Sequence, residues 1–287
     1  MNAAPLSIGQ CATLAAIWEA TATKPGNVHR GADFDDATFA DFVTSAVAIG
    51  PVFDCAATLR LGRLVLTAIQ ATRSAVGTNT NLGMALLMAP LAIADGKRPL
   101  DAEIARVLHA LDAQDARDVY AAIRLAQPGG LGEVAQADVM HGVADDLVQA
   151  MRLAADRDLV ARQYANGFHE VLGFVLPALE QALACGWSLN DAIVRVHVRT
   201  MHAFPDTLIA RKCGPELAQR SAVQAGRVLA AGEPGDANYQ AALADFDFWL
   251  RSDHHRRNPG TTADLIAAGL FAALRSGTLQ LPVRFYS

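Results

Sequence analysis

Apolar residues recur at three- and four-residue spacing along almost the whole of this chain, a pattern that leaves little room for a sheet. Ile8, Cys11, Ala15 and Trp18 form one such face behind Ser7, a candidate N-cap. Phe39, Phe42, Val43, Ala46 and Val47 form the next, which the Gly50-Pro51 pair is expected to close. Leu61, Leu64, Val65, Ala68 and Ile69 form a third, and the pattern returns through Ile104–Leu111, Leu147–Met151, Val171–Leu179, Ile193–Met201 and Leu265–Leu270. Pro177 is expected to kink the helix that contains it. Alanine and leucine dominate, only 6% of residues are aromatic and alternating β-branched runs are scarce, so intrinsic propensity agrees with the pattern. No repeat, low-complexity linker or composition shift divides the 287 residues. The expectation is an all-α fold, a single compact multi-helix bundle domain over residues 1–287 with a polar cleft at helix ends.

Charge narrows the function classes. A net charge of -5 from 24 basic and 29 acidic residues supplies no basic field for nucleic acid and no polybasic arm for a membrane. The longest apolar run, Met84 to Ala94, is short for a membrane span and contains Pro90, and no signal-peptide start is evident. A cytoplasmic protein acting on small molecules is expected. Cys11, Cys55, Cys185 and Cys213 lack the paired spacing of a disulfide framework or a thiolate zinc site. A homodimer is expected on frequency alone.

Chemistry concentrates where helices break. From Glu19 to Arg30 a helix gives way to Lys24-Pro25-Gly26-Asn27-Val28-His29-Arg30, which places a cation and amides at a fixed turn with Glu19 on the helix beneath; a plain helix stop is the simpler reading. Gly77-Thr78-Asn79-Thr80-Asn81 precedes an apolar helix with more capping groups than one helix needs, at an end that favours anions. Asp112, Asp115 and Asp118 share a face, where they could hold a cation or be solvated. Leu125–Gly132 reads as a turn with close backbone approach. Asp206 and Thr207 stand ready to cap a turn followed by Arg211 and Lys212, and Gly260-Thr261-Thr262-Ala263-Asp264 opens a last helix capped by Thr261 or Thr262. His254 and His255 are adjacent and so unable to share a metal from one helix. Each break alone is explained by capping. Their recurrence points to a nucleotide-phosphate site.

In order, these breaks resemble the motifs of the triphosphoribosyl-dephospho-coenzyme A synthase family over roughly Leu14 to Ala273. Its Lys-Pro-Gly-Leu-Val-Asp-Arg is similar to Lys24–Arg30, and its Gly-Gly-Val-Asn-Thr-His-Lys-Gly to Val76–Gly83. Its Asp-Thr-Asn and His-Arg-Gly resemble Asp206-Thr207-Leu208 and Arg211–Gly214, and its Ser-Pro-Gly-Gly-Ser-Ala-Asp-Leu-Leu resembles Asn258–Ile266. The resemblance implies an all-α enzyme in which a hydroxyl of dephospho-coenzyme A attacks the anomeric carbon of ATP, adenine leaves and the triphosphate stays on the transferred ribose.

Carried over residue by residue, it implies catalytic roles for Glu19, Asp206 and Asp264, and magnesium at the same three carboxylates. It implies nucleotide and phosphate contacts from Lys24, Gly26, Asn27, His29, Arg30, Gly77, Thr78, Asn79, Thr80, Asn81, Arg211, Lys212, Gly260, Thr261 and Thr262. The chain departs from the family pattern at His29, Asn81, Leu82 and Leu208. Lys-Pro-Gly-Asn-Val-His is closest to a divergent branch in archaea and in bacteria using archaeal-type one-carbon cofactors. That opens two alternatives: an ATP-dependent transferase or kinase acting on a pterin or furan cofactor precursor, and a non-catalytic nucleotide-binding helical module.

Overall fold

The computed structural model describes residues 5–95, 98–127 and 146–286. Fourteen α-helices and one π-helical segment account for its regular structure: α1 (Ile8–Thr21), α2 (Phe39–Phe53), α3 (Leu61–Val76), α4 (Leu82–Ile93), α5 (Leu100–His109), α6 (Ala113–Ala126), α7 (Leu147–Ala154), α8 (Leu159–Asn166), the π segment Val171–Val175, α9 (Leu176–Ala184), α10 (Leu189–Ala203), α11 (Thr207–Cys213), α12 (Pro215–Ala230), α13 (Ala237–Arg251) and α14 (Gly260–Ser276). The all-α expectation is met. The described residues hold one isolated β-bridge, His29 to Ala32, and no strand. None of their helices is long and apolar enough to cross a membrane.

Helix α14 is the axis on which the others are arranged. Thr261 to Leu274 are buried apart from the half-buried Asp264, so this helix is enclosed on every side, as a helix apolar all round must be. It packs against α1, α4, α8, α9, α10 and α11. Burial of Leu265, Ile266, Leu270 and Phe271 stabilises the arrangement by roughly 1.5–3 kcal/mol for each side chain. A second, smaller apolar cluster lies under α10–α13, with Val198, Met201, Ile209, Tyr239, Phe246 and Leu250 at its centre.

One local expectation is corrected, two are made specific and one lies mostly outside the described residues. Helix α2 continues through Pro51 to Phe53, because a proline near the last turn removes only one ladder hydrogen bond. Ahead of Pro177 the backbone widens into the π segment, in which Leu176 N donates to the Val171 carbonyl five residues back. The three aspartates are structural: Asp112 caps α6, Asp115 accepts from Gly62 N at 2.9 Å and pairs with Arg60, and Asp118 pairs with Arg63 at 3.2 Å, which docks α6 on α3. Of the Leu125–Gly132 turn, Gln127 is a left-handed C-cap and residues 128–132 lie outside the described residues.

One buried group makes the fold acid-sensitive. His197 on α10 is fully enclosed, and neither ring nitrogen has a hydrogen-bond partner. Burial, assisted by the charge of Lys24, holds it well below the usual imidazole range. The unfolded chain therefore takes up a proton near pH 6.5 that the folded chain refuses, so stability is complete above that pH and is lost as pH falls below it. His29, lowered to about 4, acts in the same direction. Urea midpoints should drop between pH 7 and pH 5, and His197→Leu should flatten that slope.

Candidate active site

The loop after α1 is held from within. Lys24 is fully buried, with Nζ 3.0 Å from Glu19 Oε1 and donating to the carbonyls of Glu19, of Ala22 at 3.3 Å and of Val28 at 3.5 Å. Burial pushes Glu19 up and Lys24 down, and the ion pair opposes both shifts. Gly26 has φ 73°, and a Cβ there would lie 2.7 Å from Leu250. That close approach lets Gly26 N donate to Asp247 at 2.7 Å and Arg251 donate to the Asn27 carbonyl at 2.6 Å.

The rest of the loop turns its polar groups elsewhere. Asn27 Nδ2 reaches Asn258 Oδ1 at 3.1 Å, which ties the loop to the segment before α14. His29 Nδ1 accepts from Gly31 N at 3.1 Å, so its proton lies on Nε2, and burial with the nearby Arg251 and Lys24 charges keeps the ring neutral. Arg30 is exposed and its guanidinium stacks on Tyr286, 4.3 Å from the ring centroid.

The second loop joins α3 to α4. Gly77 ends α3 in the left-handed conformation, and Asn79 Oδ1 accepts from Leu82 N at 3.1 Å, so the side chain that caps α4 comes from three residues upstream. Thr80 donates to Ser45 Oγ at 2.7 Å, while Asn81 Oδ1 accepts from Thr72 at 3.0 Å and leaves its buried Nδ2 without a partner. Thr78 is half-buried and Gly77 exposed.

Asp206 links the third and fourth loops. Its Oδ1 accepts from Leu208 N at 2.8 Å and Ile209 N at 3.1 Å, which caps α11; its Oδ2 accepts from Thr262 N at 2.7 Å and Thr262 Oγ1 at 2.8 Å. The expected Thr261 or Thr262 cap is thus replaced by a carboxylate from 56 residues earlier, and Pro259 occupies the N-cap position. Burial raises the Asp206 carboxyl, and its four donors oppose that shift. Thr207 donates to Thr261 Oγ1 at 3.2 Å, and Gly260 packs against Leu208. Arg211 pairs with Asp158 at 2.6 Å, and Lys212 contributes its carbonyl to Arg256 at 3.0 Å.

All four loops meet at the first turn of α14, where Asp264 stands out. It makes no hydrogen bond or ion pair with the described residues. It sits against the start of α4: a Cβ on Gly83 would fall 2.0 Å from Asp264 Oδ2, so only glycine leaves room for the carboxylate there. Burial pushes its carboxyl well above the usual range; the charges of Glu19, Asp206 and Asp158 push the same way and Arg211 opposes them.

This geometry places the predicted residues unequally. Glu19 and Lys24 are sealed against each other, and Asp206 has both oxygens occupied within the protein, so of the three carboxylates expected to hold magnesium Asp264 alone makes no bond with the described residues. No three His, Cys, Asp or Glu side chains among the described residues are grouped to hold a metal. The Lys24 ammonium, expected to contact phosphate, is buried and directed at Glu19 and at backbone carbonyls. His254 and His255 adopt positive φ in a turn, where the His255 ring lies tilted against Phe34 with centroids 4.4 Å apart. Asp158, Arg251, Asp247 and Asn258 were not anticipated. Asp158 has a local signal, as the N-cap of α8, but its partner Arg211 is 53 residues away.

Fold and site together define an all-helical class of protein whose site is assembled from loop-to-helix junctions around one buried helix. Within that class, the model of the family described as CitG, ATP:dephospho-CoA triphosphoribosyl transferase, matches residues 5–282, and the chain belongs to this family. A Pseudomonas putida protein named probable 2-(5''-triphosphoribosyl)-3'-dephosphocoenzyme-A synthase is 33% identical over 114 residues, a stretch that spans 39% of this chain and 39% of that protein. A crystal structure from Archaeoglobus fulgidus named "putative triphosphoribosyl-dephospho-coA synthase" superposes with a TM-score of 0.63 over 82% of this chain and 99% of that one, at 24% identity. That likeness establishes the fold.

Proposed function

We propose that this protein transfers the 5-triphosphoribosyl group of ATP to dephospho-CoA with release of adenine. The observation that carries the reading is Asp264, a carboxyl of raised proton affinity that pairs with none of the described residues and sits where the first turn of α14 meets the start of α4. In the reaction a C–O bond forms between the acceptor hydroxyl and the anomeric carbon while the C–N bond to adenine breaks. Asp264 accepts the hydroxyl proton, and the departing adenine takes one up, so charge balances. A carboxylate whose proton affinity is raised by burial and by neighbouring charge suits that task.

The triphosphate is assigned to the 77–81 loop and the first turn of α4, where among the amides of residues 82–84 only Leu82 has a side-chain acceptor. Magnesium enters as part of the magnesium–ATP substrate. Asp206 positions Thr262 and the α14 start.

The test is a chromatographic assay with magnesium–ATP, with and without dephospho-CoA. Adenine should appear only when both are present; ADP, or no adenine, rules this chemistry out. A second reading, another acceptor such as a pterin or furan cofactor precursor, is favoured by one observation. Leu208 fills the space against Gly260 where the family pattern has asparagine, so an amide contact at the α11–α14 junction is lost. It predicts adenine release with that acceptor and none with dephospho-CoA.

A further inference from the structure

A cavity of about 520 Å³ opens between the α7–α8 junction, the end of α10, α11 and the start of α12. Three guanidinium groups, Arg157, Arg162 and Arg211, line it, together with the carboxylate of Asp156. Only Arg211 has a carboxylate partner, Asp158, and its own Nε is buried without an acceptor. Arg162 donates Nε to the Ala155 carbonyl at 3.0 Å, which leaves both terminal nitrogens unbonded to the described residues, and Arg157 is exposed with no side-chain bond to them. Two unpaired guanidinium groups and one orphaned N–H around a single cavity are matched by an anion with several acceptor oxygens.

The remaining wall is apolar, with Leu159, Phe204 and Pro205 among its residues. A free polyphosphate chain gains nothing from such a wall, whereas a diphosphate ester with an uncharged arm presents both chemistries at once. The cavity also adjoins the candidate base. Thr207, on its wall, donates to Thr261 beside Asp264, and Arg211 is near enough to pull on the Asp264 carboxyl.

We infer that this cavity is the acceptor subsite, in which Arg157, Arg162 and Arg211 hold the diphosphate of a nucleotide diphosphate ester while the apolar wall receives its arm. This rests on the transferase reading above and adds which arginines select the acceptor. The diphosphate of dephospho-CoA hangs from the ribose that bears the attacking hydroxyl, so anchoring it here brings that hydroxyl toward Asp264.

Calorimetric titration of the full chain with dephospho-CoA, inorganic pyrophosphate and magnesium–ATP, each alone, separates the possibilities. Arg157→Gln and Arg162→Lys should each weaken dephospho-CoA and pyrophosphate by about tenfold or more while ATP changes less than twofold. Arg157 is exposed, so its replacement leaves folding intact; a thermal melt checks Arg162→Lys. Weakened ATP with unchanged dephospho-CoA would assign the cavity to the donor and overturn the inference, as would no change in any ligand. If adenine is released normally by Arg157→Gln and Arg162→Lys, the transferase reading stands and this one fails. If the wild type binds pyrophosphate through these arginines yet neither binds dephospho-CoA nor releases adenine, the transferase reading fails and the diphosphate site stands.

Discussion

Asp264→Asn should lower turnover by about 10²–10⁴-fold, the range associated with losing a positioned general base, while leaving the fold intact. Asparagine keeps the volume and removes the proton acceptor, and Asp264 makes no hydrogen bond with the described residues that the amide would break. Stability should move the opposite way to activity. Because the folded-state carboxyl is raised, ionising it at neutral pH opposes folding; that penalty begins above the ordinary carboxyl value and is complete above the raised one. Removing the charge also relieves repulsion from Glu19, Asp206 and Asp158. A higher melting temperature with lost adenine release is therefore expected at pH 7. Full activity in the variant would remove Asp264 from the mechanism, and a large drop in melting temperature would make its role structural.

Asp206→Ala should instead destabilise the protein by about 3–5 kcal/mol, read as a lower urea midpoint. Four donors converge on its carboxylate, and after truncation the buried Thr262 N–H and hydroxyl lose the acceptor that holds them. The consequence is specific: α11 and the start of α14 separate, and with them Thr207–Thr261 and the approach of Arg211 to Asp264. Asp206→Asn can keep the two bonds at Oδ1 but presents an N–H toward Thr262 N, so an intermediate loss is expected. Equal stability of all three proteins would mean that the junction is held by packing alone.

These two carboxylates look alike in the sequence. Both stand near a helix start within two residues of a threonine, and the motif resemblance gives both a catalytic role. The structure separates them, because a carboxylate's chemistry depends on which donors reach it across space. Asp206 meets the first turn of a helix that begins more than fifty residues later and is saturated. Asp264 sits against Gly83, is repelled by the charges of three other carboxylates and pairs with none of the described residues. Lys24 shows the same limit: the Lys-Pro-Gly turn was legible, but the inward path of its side chain beneath Val28 follows from how the loop folds on α13.

Local rules alone determined that the chain is helical, where α1, α3, α10 and α14 begin or end to within a residue or two, and where polar segments interrupt the helices. Those features arise from i, i+4 periodicity, proline geometry and capping, which act over one or two turns. The tertiary structure decided what those turns touch. The trans-capping of α14 by Asp206, the sealed Glu19–Lys24 pair, the isolation of Asp264 and the arginine-lined cavity each join residues from separate segments or depend on what those segments bury. Hydrogen bonding and desolvation at such junctions are set by three-dimensional neighbours, and sequence spacing carries no record of them.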